Sequence, residues 1–218
     1  DANKGLFLAR SILRKISELG LPVGTEFLDP ISPQFVADLV SWGAIGARTA
    51  ESQIHRELAS GLSCPIGFKN GTTGDLNPAI YGMKASNHSH VFFSNTKEGM
   101  VSIYKTSGNS DTHIILRGGT KPNLYPDDIR ETIDALNEAK ANDSIMIDVS
   151  HGNSQKVFKR QLENIGVVSQ QISDGMNEIR GVMIESHLQE GNQKIGEDLQ
   201  YGQSITDACI NFEDTKQC

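Results

Sequence analysis

Short apolar runs alternate with amphipathic stretches along most of this chain. Six of the runs end on a residue with useful side-chain chemistry: Glu26, Arg48, Lys69, Arg117, His151 and Glu185. The runs predict strands over residues 23–28, 44–47, 65–68, 112–116, 144–149 and 179–184. The stretches between them predict helices over 4–19, 33–42, 51–62, 77–85, 126–140 and 160–173. Pro33 and Pro126 suit helix starts, and Gly20 suits a helix end. Residues 90–94 and 100–106 interrupt the alternation and read as a hairpin. Another helix is expected to begin near Thr215.

Alternating strands and helices predict parallel strands with crossover helices. The expected fold is a (β/α)8 TIM barrel, with about six of the eight strands present. A single domain over residues 1–218, cut at both ends, carries an inserted hairpin at 90–106. Such an insertion serves regulation or an interface. An unclosed parallel sheet leaves two edges and apolar surface exposed, so these strands are not expected to fold well alone.

Composition narrows the function. The net charge of −7 lacks the basic footprint of a nucleic-acid binder, so no nucleic-acid partner is expected. No apolar run approaches the roughly 20 residues that span a bilayer, so no membrane association is expected either. Three cysteines, Cys64, Cys209 and Cys218, form neither a disulfide framework nor a zinc motif, which fits a reducing cytoplasm.

In a barrel, active-site residues gather at the C-terminal ends of the strands. Arg48, Lys69 and Arg117 occupy three such ends. Cations at equivalent positions repel one another unless an anion neutralises them. Arginine binds phosphate bidentately, and lysine suits a carboxylate. His151 and Glu185 end two later strands, and Asp207 lies in the following loop. One imidazole and two carboxylates suit manganese, iron, cobalt or zinc. His187 competes with His151 as a ligand, while His55, His88, His90 and His113 read as structural or exposed. Glycines at Asn70-Gly71-Thr72 and Arg117-Gly118-Gly119 either turn the chain or bring backbone N–H groups to a phosphate.

Longer strings carry a resemblance. They include Gly46-Ala47-Arg48-Thr49, Gly67-Phe68-Lys69-Asn70-Gly71-Thr72, Ile115-Leu116-Arg117-Gly118-Gly119 and Asp148-Val149-Ser150-His151-Gly152-Asn153-Ser154. Gly181-Val182-Met183-Ile184-Glu185-Ser186 and Ser204-Ile205-Thr206-Asp207-Ala208-Cys209 complete the set. Over essentially its whole length the chain resembles the type I 3-deoxy-D-arabino-heptulosonate 7-phosphate (DAHP) synthases.

The resemblance implies condensation of phosphoenolpyruvate with erythrose 4-phosphate, the first step of the shikimate pathway and of aromatic amino acid biosynthesis. It implies that Arg48 and Arg117 hold the phosphoenolpyruvate phosphate and Lys69 its carboxylate. Glu26 positions a water or a neighbouring cation. His151, Glu185 and Asp207 bind a divalent metal, with Asp207 also beside substrate. Lys69, His151 and Glu26 are the catalytic residues on this reading. It further implies feedback inhibition by an aromatic amino acid at Asp29, Pro33, Leu62, Ser63 and the hairpin residue Ser94. Ser94 favours phenylalanine. A homo-oligomer is expected.

The chain departs from the family pattern in places. A Gly-Pro-Cys-Ser string with a fourth metal ligand and a Lys-Pro-Arg-Thr-Thr substrate-binding string are not among these residues. Ala50, Thr73 and Thr120 stand where Thr, Asp and Lys are usual, and Asn211-Phe212 replaces Gly-Trp. Two alternatives therefore stay open: a related phosphoenolpyruvate–sugar synthase, and a non-catalytic fragment that binds anions or an aromatic effector.

Overall fold

The computed structural model describes residues 1–218. Its strands are β1 (Gly24–Glu26), β2 (Trp42–Ile45), β3 (Ile66–Lys69), β4 (Val91–Asn95), β5 (Val101–Lys105), β6 (Thr112–Leu116), β7 (Ile145–Asp148) and β8 (Ile179–Met183). The helices are α1 (Ala2–Glu18), α2 (Pro33–Val36), α3 (Gln53–Gly61), α4 (Asn77–Ser86), α5 (Pro126–Ala139), α6 (Arg160–Ser173) and α7 (Phe212–Thr215). One sheet has the order β1-β2-β3-β6-β7-β8, and β4-β5 form a separate pair. The larger sheet is parallel at β1-β2, β2-β3 and β7-β8, and its strands follow chain order. That is the strand order of a (β/α)8 barrel, with six of the eight strands. No helix is long and apolar enough to cross a membrane.

The chain divides into two compact units, and the division falls inside β6. The first holds residues 1–69 and 77–114. Ile45, Ile66 and Phe68 are fully buried along its parallel strands. Gly82 of α4 lies against Phe68, where an added Cβ would stand 2.6 Å from the ring. This glycine lets helix and strand meet closely. Ser52 caps α3 by accepting from the His55 backbone N–H. In the hairpin, Phe93 pairs with Ile103 and Phe92 stacks on Tyr104.

The second unit holds residues 70–76 and 115–218. Ile145 and Ile147 of β7 and Leu136 of α5 are fully buried there. Pro126 stands in the first turn of α5, where its missing N–H costs nothing. Lys140 caps that helix in the left-handed region.

Two local expectations need correction. The helix from Pro33 does not reach residue 42. It stops at Val36, tightens to a 3-10 turn over Ala37–Leu39, and turns extended at Val40, so Trp42 begins β2. β-Branched and aromatic residues at 36, 40 and 42 favour that exit. The final helix opens at Phe212, capped by Asn211, and ends at Thr215 rather than beginning there. No apolar position of α1 is fully buried: Leu6, Leu13 and Ile16 are half-buried, and Phe7, Leu8 and Ile12 are more than half exposed. The helix is tied down instead by Arg10, which donates to both oxygens of Asp38 and to the Phe35 carbonyl.

Candidate metal centre

In the second unit, β7 delivers its last residue, Asp148, fully buried beneath a left-handed turn at His151 (φ 44°). His151 Nδ1 lies 2.8 Å from Asp148 Oδ2, off the ideal N–H line. A buried carboxylate on that side favours the tautomer that presents the Nε2 lone pair. His151 Nε2 stands 3.5 Å from Glu185 Oε1 and 3.6 Å from Asp207 Oδ2. One ligand atom from each of these three residues lies within 4.8 Å of the others. The geometry and the mixed imidazole–carboxylate donors fit a metal ion.

Glu185 is held by its own hydrogen-bond partners, while Asp207 is half exposed. Ser150 donates to Glu185 Oε2 at 2.6 Å. Buried Gln161 clamps the Glu185 backbone, donating to its carbonyl at 3.1 Å and accepting its N–H at 2.8 Å. Ile210 N–H donates to the Glu185 carbonyl and brings back the loop that bears Asp207. Buried Cys209 beside that loop has its thiol pKa pushed up by burial, then by Glu185.

An amide network of buried Asn70 and Asn153 with half-buried Asn123 ties the adjoining loops together. Asn70 Oδ1 accepts the Arg117 N–H at 2.8 Å, and Asn123 Oδ1 accepts the Gly118 N–H at 2.7 Å. Asn153 Nδ2 donates to the carbonyls of Leu116 and Asp148, linking the ends of β6 and β7. Gly118 and Gly119 are required by close approach. A Cβ on Gly119 would stand 2.2 Å from the Gly74 nitrogen, and one on Gly118 2.5 Å from the Asn153 nitrogen. Beside this turn, Arg117, Thr72, Thr120, Gln155 and Lys156 line a cleft of about 380 Å³.

In the first unit, buried Lys69 ends β3, and exposed Arg48 sits in the turn after β2. Glu26 ends β1 and lies over Gly46, where an added Cβ would meet Glu26 Oε1 at 2.0 Å. Pro33, Leu62 and Ser94 line a separate cleft of about 660 Å³, with Phe92 and Tyr104. Asp29 is not in that lining. It accepts from Ser32 and from the backbone of Ile31 and Ser32. Burial works to raise its pKa, and those hydrogen bonds outweigh burial and hold it low. Ser63 lines a different cleft, with Cys64 and Asp38. His187 is not part of this ligand group, and its Nδ1 accepts the Leu188 N–H.

Asp148, Ser150 and Gln161 also contact the ligand residues, and Lys156 borders them, although none of the four was a candidate from sequence. A carboxylate closing the apolar run Ile145-Met146-Ile147 was a usable signal for Asp148. No sequence pattern marked the others.

A family model described as the DAHP synthetase I family matches residues 2–218. The chain is 55% identical over 217 residues to the Trp-sensitive phospho-2-dehydro-3-deoxyheptonate aldolase of Shigella flexneri, covering 99% of this chain and 62% of that protein. It is 56% identical over 215 residues to the Phe-sensitive phospho-2-dehydro-3-deoxyheptonate aldolase of Escherichia coli (strain K12), covering 98% of this chain and 61% of that one. The solved structure of phospho-2-dehydro-3-deoxyheptonate aldolase from Francisella tularensis SCHU S4 superposes with a TM-score of 0.97 at 50% identity. It covers all of this chain and 64% of its own. The chain thus spans about three fifths of the length of these relatives. On the family match and these identities, the chain belongs to the DAHP synthetase I family.

Proposed function

We propose that the protein carrying this chain is a metal-dependent DAHP synthase. It joins phosphoenolpyruvate to erythrose 4-phosphate and water, releasing DAHP and inorganic phosphate. The observation that carries this reading is the convergence of His151, Glu185 and Asp207 in a family member. These residues would hold manganese, iron, cobalt or zinc. The chemistry such an ion would supply there is Lewis acidity toward the aldehyde of erythrose 4-phosphate.

The remaining chemistry falls to the cations and Glu26. Arg48 and Arg117 would bind the enol phosphate, and Lys69 its carboxylate. This fixes which face of the enol meets the aldehyde. Glu26, lying over Gly46, would orient the water. C3 of phosphoenolpyruvate forms the new bond to the aldehyde carbon. Water adds at C2, and C–O cleavage there expels phosphate.

Trp-sensitive and Phe-sensitive relatives support aromatic amino acid feedback here too. The cleft with Pro33, Leu62, Ser94, Phe92 and Tyr104 is apolar and aromatic enough for such a ligand. We favour phenylalanine, on Ser94. The exposed hairpin residues Val91, Phe93, Val101 and Ile103 support an interface with a second copy.

The test is phosphate release from phosphoenolpyruvate by the purified protein. Release should require erythrose 4-phosphate, stop with a chelator and return with Mn²⁺. Release without erythrose 4-phosphate, or insensitive to chelation, would contradict the reading.

A further inference from the structure

Two residues, His151 and Lys156, line both the metal-centre cleft and the neighbouring cleft of Arg117, Thr72 and Thr120. Lys156 Nζ stands 3.6 Å from Asp207 Oδ1, while Asp207 Oδ2 faces His151 Nε2 at 3.6 Å. One carboxylate therefore serves the ligand group with one oxygen and an ammonium with the other.

An exposed ion pair of that length contributes little by itself. The Lys156 backbone, however, is built into the site. Its N–H donates to the His151 carbonyl at 3.1 Å, and the Gln155 N–H donates to the Gly152 carbonyl at 3.2 Å. His151, Gln155 and Lys156 all have left-handed φ, at 44°, 51° and 61°. Such conformations cost about 1–2 kcal/mol each without glycine, and persist only where the surroundings impose them. Buried Asn153 and Ser154 anchor the turn. The turn that presents the imidazole thus also sets where the Lys156 side chain begins.

We propose that Lys156 is a positioning cation that couples anion binding to metal binding. With no anion present, its ammonium holds Asp207 Oδ1 and competes with a divalent ion for that carboxylate. An anion beside Arg117 draws the ammonium across and frees Asp207. By linkage, the anion tightens metal binding by the same factor as metal tightens anion binding. The inference rests on the metal reading of His151, Glu185 and Asp207.

The test measures Mn²⁺ affinity from the paramagnetic resonance signal of the free ion, with and without sulfate as the anion. In the wild type, sulfate should tighten Mn²⁺ binding about fivefold. Lys156→Met should bind Mn²⁺ more tightly than wild type without sulfate, and should lose most of the sulfate effect. Lys156→Arg should keep it. An equal sulfate effect in Lys156→Met would overturn the proposal. Wild-type Mn²⁺ binding indifferent to sulfate would overturn the coupling alone. A wild type that binds no Mn²⁺ would overturn the metal reading, and the coupling with it.

Discussion

Asp148 lies 2.8 Å from His151 with its side chain shut away from solvent, whereas the imidazole remains partly exposed. The Nδ1 edge of the ring thus faces a carboxylate inside the protein, and Nε2 faces Glu185 and Asp207. A carboxylate behind a ligating histidine both orients it and raises its basicity. Asp148→Asn keeps the shape and removes the charge. It should weaken Mn²⁺ binding about 10–100-fold, read by titration of the purified variant. Wild-type affinity in Asp148→Asn would show that the pair is only structural.

Gly46 and Glu26 provide a steric test of the role proposed for Glu26. A Cβ at residue 46 would fall 2.0 Å from Glu26 Oε1, so Gly46→Ala must displace that carboxylate. Because a misplacement near 1 Å can cost about 100-fold in rate, turnover should fall by about that factor. Steady-state kinetics should show Gly46→Ala and Glu26→Ala to be similarly impaired. Full activity in Gly46→Ala would remove Glu26 from the reaction.

Two glycines of the second unit should respond in opposite directions. Gly119→Ala would set a methyl 2.2 Å from the backbone of Thr73 and Gly74. Overpacking against rigid backbone should cost about 2–4 kcal/mol in urea unfolding. Gly166, inside α6, has nothing within 4 Å of an added Cβ. Gly166→Ala should therefore stabilise by up to about 1 kcal/mol, the helix-propensity difference. Equal effects at the two sites would contradict the packing described.

Burial lowers the His113 pKa from 6.5 to about 4, and its Nε2 accepts from the Trp42 indole N–H at 3.2 Å. Between those pH values the unfolded chain binds a proton that the folded chain excludes. Stability should therefore fall as pH drops from about 6.5 to about 4, by about 3 kcal/mol in all. His113→Gln should flatten the thermal midpoint against pH across that window. An unchanged slope would mean that other groups set the acid limit.

The strand ends were legible because a short apolar run followed by one charged residue is a one-dimensional pattern. Glu26, Lys69 and Glu185 stand at or just after the ends of β1, β3 and β8 for that reason. The stretch 33–42 was not legible, because its apolar residues satisfy both helical and extended periods and tertiary pairing decided between them. Ser41 N–H donates to the Val23 carbonyl, which draws the segment into the sheet. For α1 the pattern revealed an apolar stripe but not its exposure. Lys156 escaped notice because its place depends on three left-handed residues, and no sequence period encodes them. Pro33, Leu62 and Ser94 share a cleft, whereas Asp29 and Ser63 lie outside its lining.

His151, Glu185 and Asp207 are proposed to hold one divalent ion between them. The most direct measurement is an anomalous-difference map from crystals of the protein grown with Mn²⁺. A single strong peak should lie within bonding distance of His151 Nε2, a Glu185 oxygen and Asp207 Oδ2, and be absent in His151→Ala crystals. No peak there, or one that survives loss of His151, would contradict it.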